Sequence, residues 1–173
     1  MKRFSVLFVT LGLLVAGCGS STPAAPTTPT NPTFTATLSP ANENPAIVGA
    51  EAVGSGTATV TMVTTKDANG NVTAATATFV VNLTGFPAGT PINIAHIHTG
   101  AAGVNGGIVV NSLITAGQNV LTTGSGSFTA SNLTISPVDV ANQILANPAG
   151  FYFNVHSTNN PGGVARGQLV RVQ

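Results

Sequence analysis

Alternation of apolar and polar residues dominates the chain from Thr33 onwards. Phe34–Leu38 alternates large apolar residues with threonine, and the long runs at 56–65 and 71–83 repeat valine, alanine and threonine in a similar way. A period of two places every second side chain on the same face, so each run predicts a half-buried β-strand. Further strands are predicted at 92–98, 108–113, 124–130, 151–156 and 164–170.

Turn-forming residues separate these runs. Lys66–Gly70 joins the two longest runs, and its Asn-Gly pair favours a tight β-hairpin because both residues tolerate positive φ. Val138–Ala146 is the one helical candidate; Ser136 is its predicted N-cap, Pro137 suits the first turn and Pro148 ends it. About eight strands and one short helix predict an all-β protein, an antiparallel Greek-key β-sandwich.

The N-terminus follows a different pattern. Lys2 and Arg3 precede an apolar stretch, Phe4–Val15, which has roughly the length of a signal peptide and is too short to span a bilayer. The stretch ends in Leu14–Cys18 (LVAGC), which resembles a bacterial lipoprotein lipobox. That resemblance implies cleavage before Cys18, the only cysteine in the chain, and acylation of its thiol. An ordinary signal peptide with an incidental cysteine is the alternative.

Three segments follow from these boundaries. Residues 1–17 are predicted to be a lipoprotein signal peptide, 18–32 a lipidated cysteine with a Ser/Thr/Pro-rich tether, and 33–173 the β-sandwich domain. The domain is then expected outside the cytoplasm, held to a bacterial membrane by the lipid on Cys18. Gly19 supplies no inner-membrane retention aspartate, which favours the outer membrane in a bacterium that has one.

Composition excludes several classes of function. Charged residues make up 5% of the chain and the formal net charge is +1, so neither nucleic acid nor an anionic surface is an expected partner. Phosphate-loop and nucleophile-elbow motifs are missing, and four acidic residues leave little basis for paired-carboxylate hydrolysis. The sequence therefore favours a protein that is not an enzyme. With one tyrosine and no tryptophan, it identifies no anchor for a protein partner of the envelope or the extracellular space.

All three histidines fall in two short stretches. His96 and His98 lie in Ala95–Gly100 (AHIHTG), and His156 lies in Phe151–Gln168 (FYFNVHSTNNPGGVARGQ). Residues i and i+2 of a strand project from the same face about 7 Å apart, so two imidazoles can converge on one ion. Apolar residues occupy the opposite parity around each histidine, which predicts that all three lie on polar faces. Three imidazoles with an open position suit copper or zinc.

Two interpretations of these histidines stay open from the residues alone. They bind a metal ion, or they hydrogen-bond loop backbone and hold the glycine-rich turns in shape, since a neutral imidazole has one donor and one acceptor. A ligating histidine also needs a partner for its other nitrogen. Carboxylates are scarce, so backbone carbonyls or Asn154 have to serve.

Arg166 follows His156 closely in a domain with few charges. We interpret it as half of a structural ion pair or as a backbone clamp, with an anion-guiding role as the alternative. Its candidate partners are Glu43, Glu51 and Asp139.

Three stretches together resemble the CHRD (chordin-type) domain. They are Phe34–Leu38 with Asn42–Pro45 after it, Ala95–Gly100, and Phe151–Gln168 with its Asn-Asn-Pro-Gly-Gly and Arg-Gly-Gln motifs. The resemblance covers residues 33–173, the whole predicted domain. It implies the fold, leaves the biochemical function open, and fits a binding or structural module of the bacterial envelope.

A weaker resemblance is to the copper half of copper–zinc superoxide dismutases, which are also Greek-key β-sandwiches. There a His-x-His pair and a late histidine bind copper, and an arginine near the end of the chain guides the anion. The resemblance implies these roles for His96, His98, His156 and Arg166. The chain departs from the pattern because it has no bridging histidine, no zinc cluster after His98 and no second cysteine for a disulfide. With these departures, the resemblance implies at most a metal carrier or a vestigial dismutase-like site.

Overall fold

The computed structural model describes residues 31–173, so the predicted signal peptide, Cys18 and nearly all of the tether lie outside the described residues. The strands are β1 (Thr33–Leu38), β2 (Ser55–Lys66), β3 (Val72–Thr84), β4 (Thr90–Thr99), β5 (Ile108–Asn111), β6 (Asn119–Leu121), β7 (Gly126–Thr134), β8 (Phe151–Ser157), β9 (Ala165–Gln168) and β10 (Val170–Arg171). The one α-helix among these residues, α1, spans Val138–Ala146, and short 3-10 turns cover Pro40–Asn42, Ala50–Val53 and Pro148–Gly150. Within residues 31–173, no helix is both long and apolar enough to cross a membrane.

The strands form two antiparallel sheets. The first has the order β10-β1-β2-β3-β7, and the second has the order β5-β4-β8-β9 with β6 also pairing with β4. Several neighbours, such as β3 with β7 and β4 with β8, are distant in sequence, so the chain passes repeatedly between the sheets. The predicted all-β antiparallel sandwich is confirmed.

The hydrophobic core lies between the two sheets. Its side chains come from the inward positions of the alternating runs, and Phe34, Phe79 and Phe153 are fully buried there. Phe79 of the first sheet meets Phe153 of the second edge-on, with ring centroids 5.0 Å apart. Such an edge-to-face pair adds about 1 kcal/mol beyond the burial of its area. Helix α1 extends this core with Val140, Ala141 and Ile144.

The β2–β3 hairpin is confirmed by pairing that runs from Ser55–Thr84 to Lys66–Val72. Gly70 takes the positive φ of the turn, at 86°, whereas Asn69 stays outside that region. The side chain of Asp67 organises the turn instead, because its Oδ1 accepts from the amides of Asn69 and Asn71, each at 2.9 Å. This is the Asx-type turn chemistry of a short carboxylate.

The C-terminal run predicted as one strand divides into two. β9 pairs with β8 and β10 pairs with β1, so the run contributes to both sheets. Leu169 between them is fully buried and its amide bonds to the Phe151 carbonyl. The buried leucine marks where the chain leaves one sheet for the other. The alternation of apolar and polar residues along 164–170 does not reveal this change of sheet.

Two smaller predictions also need correction. Strand β6 is missing from the predicted set because three residues are too few to show a period. Helix α1 has the predicted bounds, but Pro137 is its N-cap residue rather than Ser136. No side chain caps this end of the helix.

Strand β8 of the second sheet is buried on both faces, and this positions the site. All seven residues of β8 are buried. Phe151, Phe153 and Val155 belong to the core between the sheets. The intervening Tyr152, Asn154 and His156 therefore face the other way, into a layer covered by the loops that flank the second sheet.

Candidate functional site

Strands β4 and β8 bring the histidines together on the outer face of the second sheet. In their antiparallel register, His96 pairs with Asn154 and Ile94 pairs with His156. His156 therefore lies diagonally across from His96, which shares its face with His98. All three imidazoles are buried.

The imidazole nitrogens converge. One nitrogen from each ring lies within 4.8 Å of the other two. His96 Nδ1 and His156 Nε2 lie 3.2 Å apart. We call His96, His98 and His156 the histidine triad.

Backbone carbonyls occupy the other nitrogen of two rings. His98 Nδ1 lies 3.0 Å from the Gly106 carbonyl oxygen, and His156 Nδ1 lies 2.9 Å from that of Pro161. A carbonyl oxygen only accepts, so both Nδ1 atoms are assigned the hydrogen, and Nε2 of each neutral ring keeps its lone pair. His98 Nε2 is buried without a hydrogen-bond partner among the described residues.

Burial keeps the triad neutral. Burial, with smaller contributions from the neighbouring His156 and His98, lowers the pKa of His96 to about 4. Burial also lowers the pKa of His98 and of His156, although the carbonyls of Gly106 and Pro161 act in the opposite direction. A neutral imidazole with a free lone pair is the form that binds a metal ion.

Tyr152 separates the triad from Arg166. Its ring stacks on His98, with centroids 4.9 Å apart and planes 2° from parallel. The Arg166 Cζ lies 4.7 Å from the tyrosine centroid. Because β8 lies between β4 and β9, the tyrosine ring lies between the imidazole and the guanidinium.

Arg166 is buried and tied to two loops. Its Nε donates to the Asn42 carbonyl at 2.6 Å, and its Nη1 donates to Asn105 Oδ1 at 2.7 Å. Glu43 Oε2 lies 3.9 Å from Nε. Burial raises the pKa of Glu43 to about 7, and the charge of Arg166 acts against that rise. The geometry is that of a clamp which joins the 39–44 and 99–107 loops to β9.

The other two candidate partners of Arg166 lie elsewhere. Asp139 is exposed on α1. Glu51 is buried, and its carboxylate accepts hydrogen bonds from Ser157, Asn159 and Asn160. This role of Glu51 was not predicted, because nothing in the sequence places the turn near residue 50 beside the loop after β8.

Sequence reasoning also missed the contributions of Tyr152 and Gly106. Tyr152 is marked in the sequence only by sharing parity with His156. A Cβ on Gly106 would collide with the Thr99 carbonyl oxygen, so the close approach that offers the Gly106 carbonyl to His98 requires glycine. The glycine-rich composition of the loop is the available signal.

Two clefts open beside the loops that cover the site. One of about 550 Å³ is lined by Glu43, Asn44, Gly103 and Gln168 among others. A second of about 190 Å³ lies between Glu43 and the Asn159–Gly163 segment. Neither cleft is lined by a histidine, so the triad lies beneath the loops rather than in an open pocket.

Comparison with protein families identifies the family to which this domain belongs. The family model described as CHRD domain matches residues 34–169, a span that contains the triad, Tyr152 and Arg166. The chain belongs to the CHRD-domain family. The resemblance predicted from the sequence is thereby confirmed, and the matched span covers both sheets except for β10 and the first residue of β1. Comparisons with curated proteins and with solved structures gave no match.

Proposed function

We propose that this CHRD domain binds one transition-metal ion, copper or zinc, through His96, His98 and His156. The observation that carries the proposal is the convergence of three buried imidazole nitrogens within 4.8 Å of one another. The proposed role is metal binding or carriage at the bacterial envelope, without a catalytic step.

The donor set fits such an ion. Two ligands of a tetrahedral zinc site, each about 2.0–2.1 Å from the metal, lie about 3.3 Å apart. His96 Nδ1 and His156 Nε2 are already 3.2 Å apart. The third nitrogen, from His98, lies within 4.8 Å of the other two. The Nε2 of His98 is the buried acceptor that lacks a partner among residues 31–173, which a metal ion would satisfy.

The surroundings of the rings support the same proposal. Histidine ligands commonly donate their other N–H to a carbonyl or carboxylate, which fixes the tautomer and the orientation of the ring. Gly106 and Pro161 supply such carbonyls to His98 and His156. These bonds also hold the loops in shape, so the structural interpretation of the histidines and the metal-binding one are compatible.

The test is isothermal titration of the metal-free protein, prepared without a polyhistidine tag, with Cu²⁺ and with Zn²⁺. We expect one ion per chain, and we expect His98→Ala to lose that binding. Asp139→Asn serves as the control, because it removes an exposed carboxylate on α1, outside the strands and loops that form the triad. Absence of stoichiometric binding, with His98→Ala lowering thermal stability instead, would leave the domain as a structural or protein-binding module of the envelope.

We also propose that the domain is anchored outside the cytoplasm by lipid on Cys18. The support is the LVAGC stretch after a basic and then apolar N-terminus, followed by a tether rich in serine, threonine and proline. Expression in a bacterium should give a mature protein that begins at an acylated Cys18 and partitions into detergent. Cys18→Ser should remain unprocessed and unacylated; an acyl-free mature chain from the unaltered gene would contradict the proposal.

A further inference from the structure

Glu51 is a buried carboxylate outside the histidine triad. It lies on the 3-10 turn Ala50–Val53 between β1 and β2 and is 3% exposed. A buried carboxylate is costly unless hydrogen bonds compensate for its lost hydration. Three side-chain donors do so here: Ser157 Oγ at 2.7 Å, Asn160 Nδ2 at 2.5 Å and Asn159 Nδ2 at 3.2 Å.

All three donors belong to the end of β8 and the loop that follows it. The Asn160 amide also donates to Ser157 Oγ at 3.0 Å, and the Gly163 amide donates to the Asn160 carbonyl at 3.1 Å. Most of the loop is exposed, and no large apolar side chain anchors it between Ser157 and Gly163. Asn93 of β4 donates a hydrogen bond to Thr158 at the exposed side of this loop, at 3.1 Å. The carboxylate of Glu51 is the buried anchor that a distant segment supplies to it.

The anchored loop presents the next carbonyl to the triad. Pro161 follows Asn160 directly, and its oxygen is the acceptor 2.9 Å from His156 Nδ1. A carbonyl held at that position keeps the hydrogen of His156 on Nδ1 and the lone pair on Nε2, the nitrogen that faces His96.

We infer that Glu51 is a positioning residue for the histidine triad. By clamping Ser157, Asn159 and Asn160 it holds the Pro161 carbonyl against His156, and it thereby fixes the tautomer in which His156 Nε2 is available to a metal ion. The effect on metal affinity rests on the proposed function, whereas the effect on the tautomer does not.

The first measurement is imidazole ¹⁵N NMR of the metal-free protein at neutral pH. In the unaltered protein, His156 should show the single tautomer protonated at Nδ1. In Glu51→Gln the NH2 group of the new amide cannot accept hydrogen bonds from the donors of the clamp. His156 should therefore show a mixture of tautomers in exchange. Asp139→Asn removes the same charge from an exposed position and should leave the His156 signals unchanged.

The second measurement is metal titration of the same variants. Loss of a histidine ligand's outer hydrogen-bond partner costs about 10–100-fold in metal affinity. Glu51→Gln disturbs the Pro161 partner of His156, so it should weaken binding by about tenfold, whereas Asp139→Asn should not weaken it. A single Nδ1-protonated tautomer in folded Glu51→Gln would overturn the inference, and so would affinity within twofold of the unaltered protein. If the unaltered protein binds no metal, the proposed function fails and the tautomer measurement alone decides the role of Glu51.

A milder variant covers the case in which Glu51→Gln does not fold. Asn160→Ala removes one donor from the clamp and leaves the carboxylate bonded to Ser157 and Asn159. We expect a smaller change in the same direction, in both the tautomer of His156 and the metal affinity. An unchanged tautomer in Asn160→Ala, together with unchanged affinity, would count against the clamp.

Discussion

His96 Nδ1 lies 3.2 Å from His156 Nε2, although 60 residues separate them in the chain. The Pro161 carbonyl assigns the hydrogen of His156 to Nδ1, so its Nε2 is the acceptor in this contact. His96 Nδ1 is then the donor, and its hydrogen occupies the space where a shared ion would bind. Metal binding must therefore exchange a hydrogen bond within the triad for two coordinate bonds.

This exchange predicts a change of tautomer at His96. In the metal-free protein His96 should carry its hydrogen on Nδ1, and on Zn²⁺ binding it should carry it on Nε2. His98 and His156 should keep their hydrogens on Nδ1 throughout, because carbonyls hold them there. Imidazole ¹⁵N NMR at neutral pH, before and after one equivalent of Zn²⁺, checks the prediction. Persistence of the Nδ1-protonated form of His96 in a stoichiometric complex would rule out His96 Nδ1 as a ligand.

The buried histidines predict that acid destabilises the metal-free domain. Burial lowers the pKa of His96 from its ordinary 6.5 to about 4, so the unfolded chain binds a proton that the folded chain resists. Its contribution to stability is fully present above pH 6.5 and is lost as pH falls through about 4. One pKa unit corresponds to about 1.4 kcal/mol, so the loss is of the order of 3 kcal/mol.

Urea unfolding at several pH values, compared between the unaltered protein and His96→Gln, measures that contribution. The difference in unfolding free energy between the two proteins should shrink as the pH falls from 6.5 towards 4. A difference that does not depend on pH would show that His96 titrates normally in the folded protein.

Glu43 predicts a pH dependence of the opposite sign. Burial raises its pKa from 4.5 to about 7 in spite of Arg166, so the folded protein favours the protonated carboxyl. That contribution is fully present below pH 4.5 and is lost as pH rises through about 7. The pH dependences from Glu43 and His96 offset each other in the unaltered protein. Glu43→Gln removes one of them, so the rise of stability with pH that the histidines cause should become visible.

The measurement is the slope of unfolding free energy between pH 5 and 7.5. It should be more positive in Glu43→Gln than in the unaltered protein. Asp139→Asn, at an exposed carboxylate, should keep the original slope. Equal slopes in all three proteins would mean that the Arg166 charge at least balances the burial of Glu43.

The fold was largely predictable from the sequence because its strands and turns are determined by residues close together in the chain. Residues such as Phe34 and Phe79 point inward at a period of two, and the turn at Asp67–Gly70 carries its own chemistry. The division of the last run was not predictable, because the change of sheet at Leu169 depends on where β1 lies in space. Propensity does not carry such information.

The candidate site shows the same limit. The shared face of His96 and His98 follows from their spacing, and the polar parity of His156 follows from its neighbours. The roles of Glu51 and Tyr152 depend on segments that meet only in the folded chain. Periodicity indicates which face a side chain takes, but it does not indicate which loop covers that face.

Gly106 and Gly107 test how much space the 99–107 loop leaves for a side chain. A Cβ on Gly106 would collide with the Thr99 carbonyl oxygen, whereas a Cβ on Gly107 meets nothing within 4 Å. Neither takes a positive φ, so strain of that kind does not separate the two positions. Gly106→Ala should therefore displace the loop and cost about 1–3 kcal/mol, as overpacking does, while Gly107→Ala should be near neutral. Because the Gly106 carbonyl accepts from His98, the first variant should also free His98 to change tautomer. Thermal unfolding and imidazole NMR of the pair check both effects, and equal stability of the two variants would show that the Thr99–Gly106 contact yields at little cost.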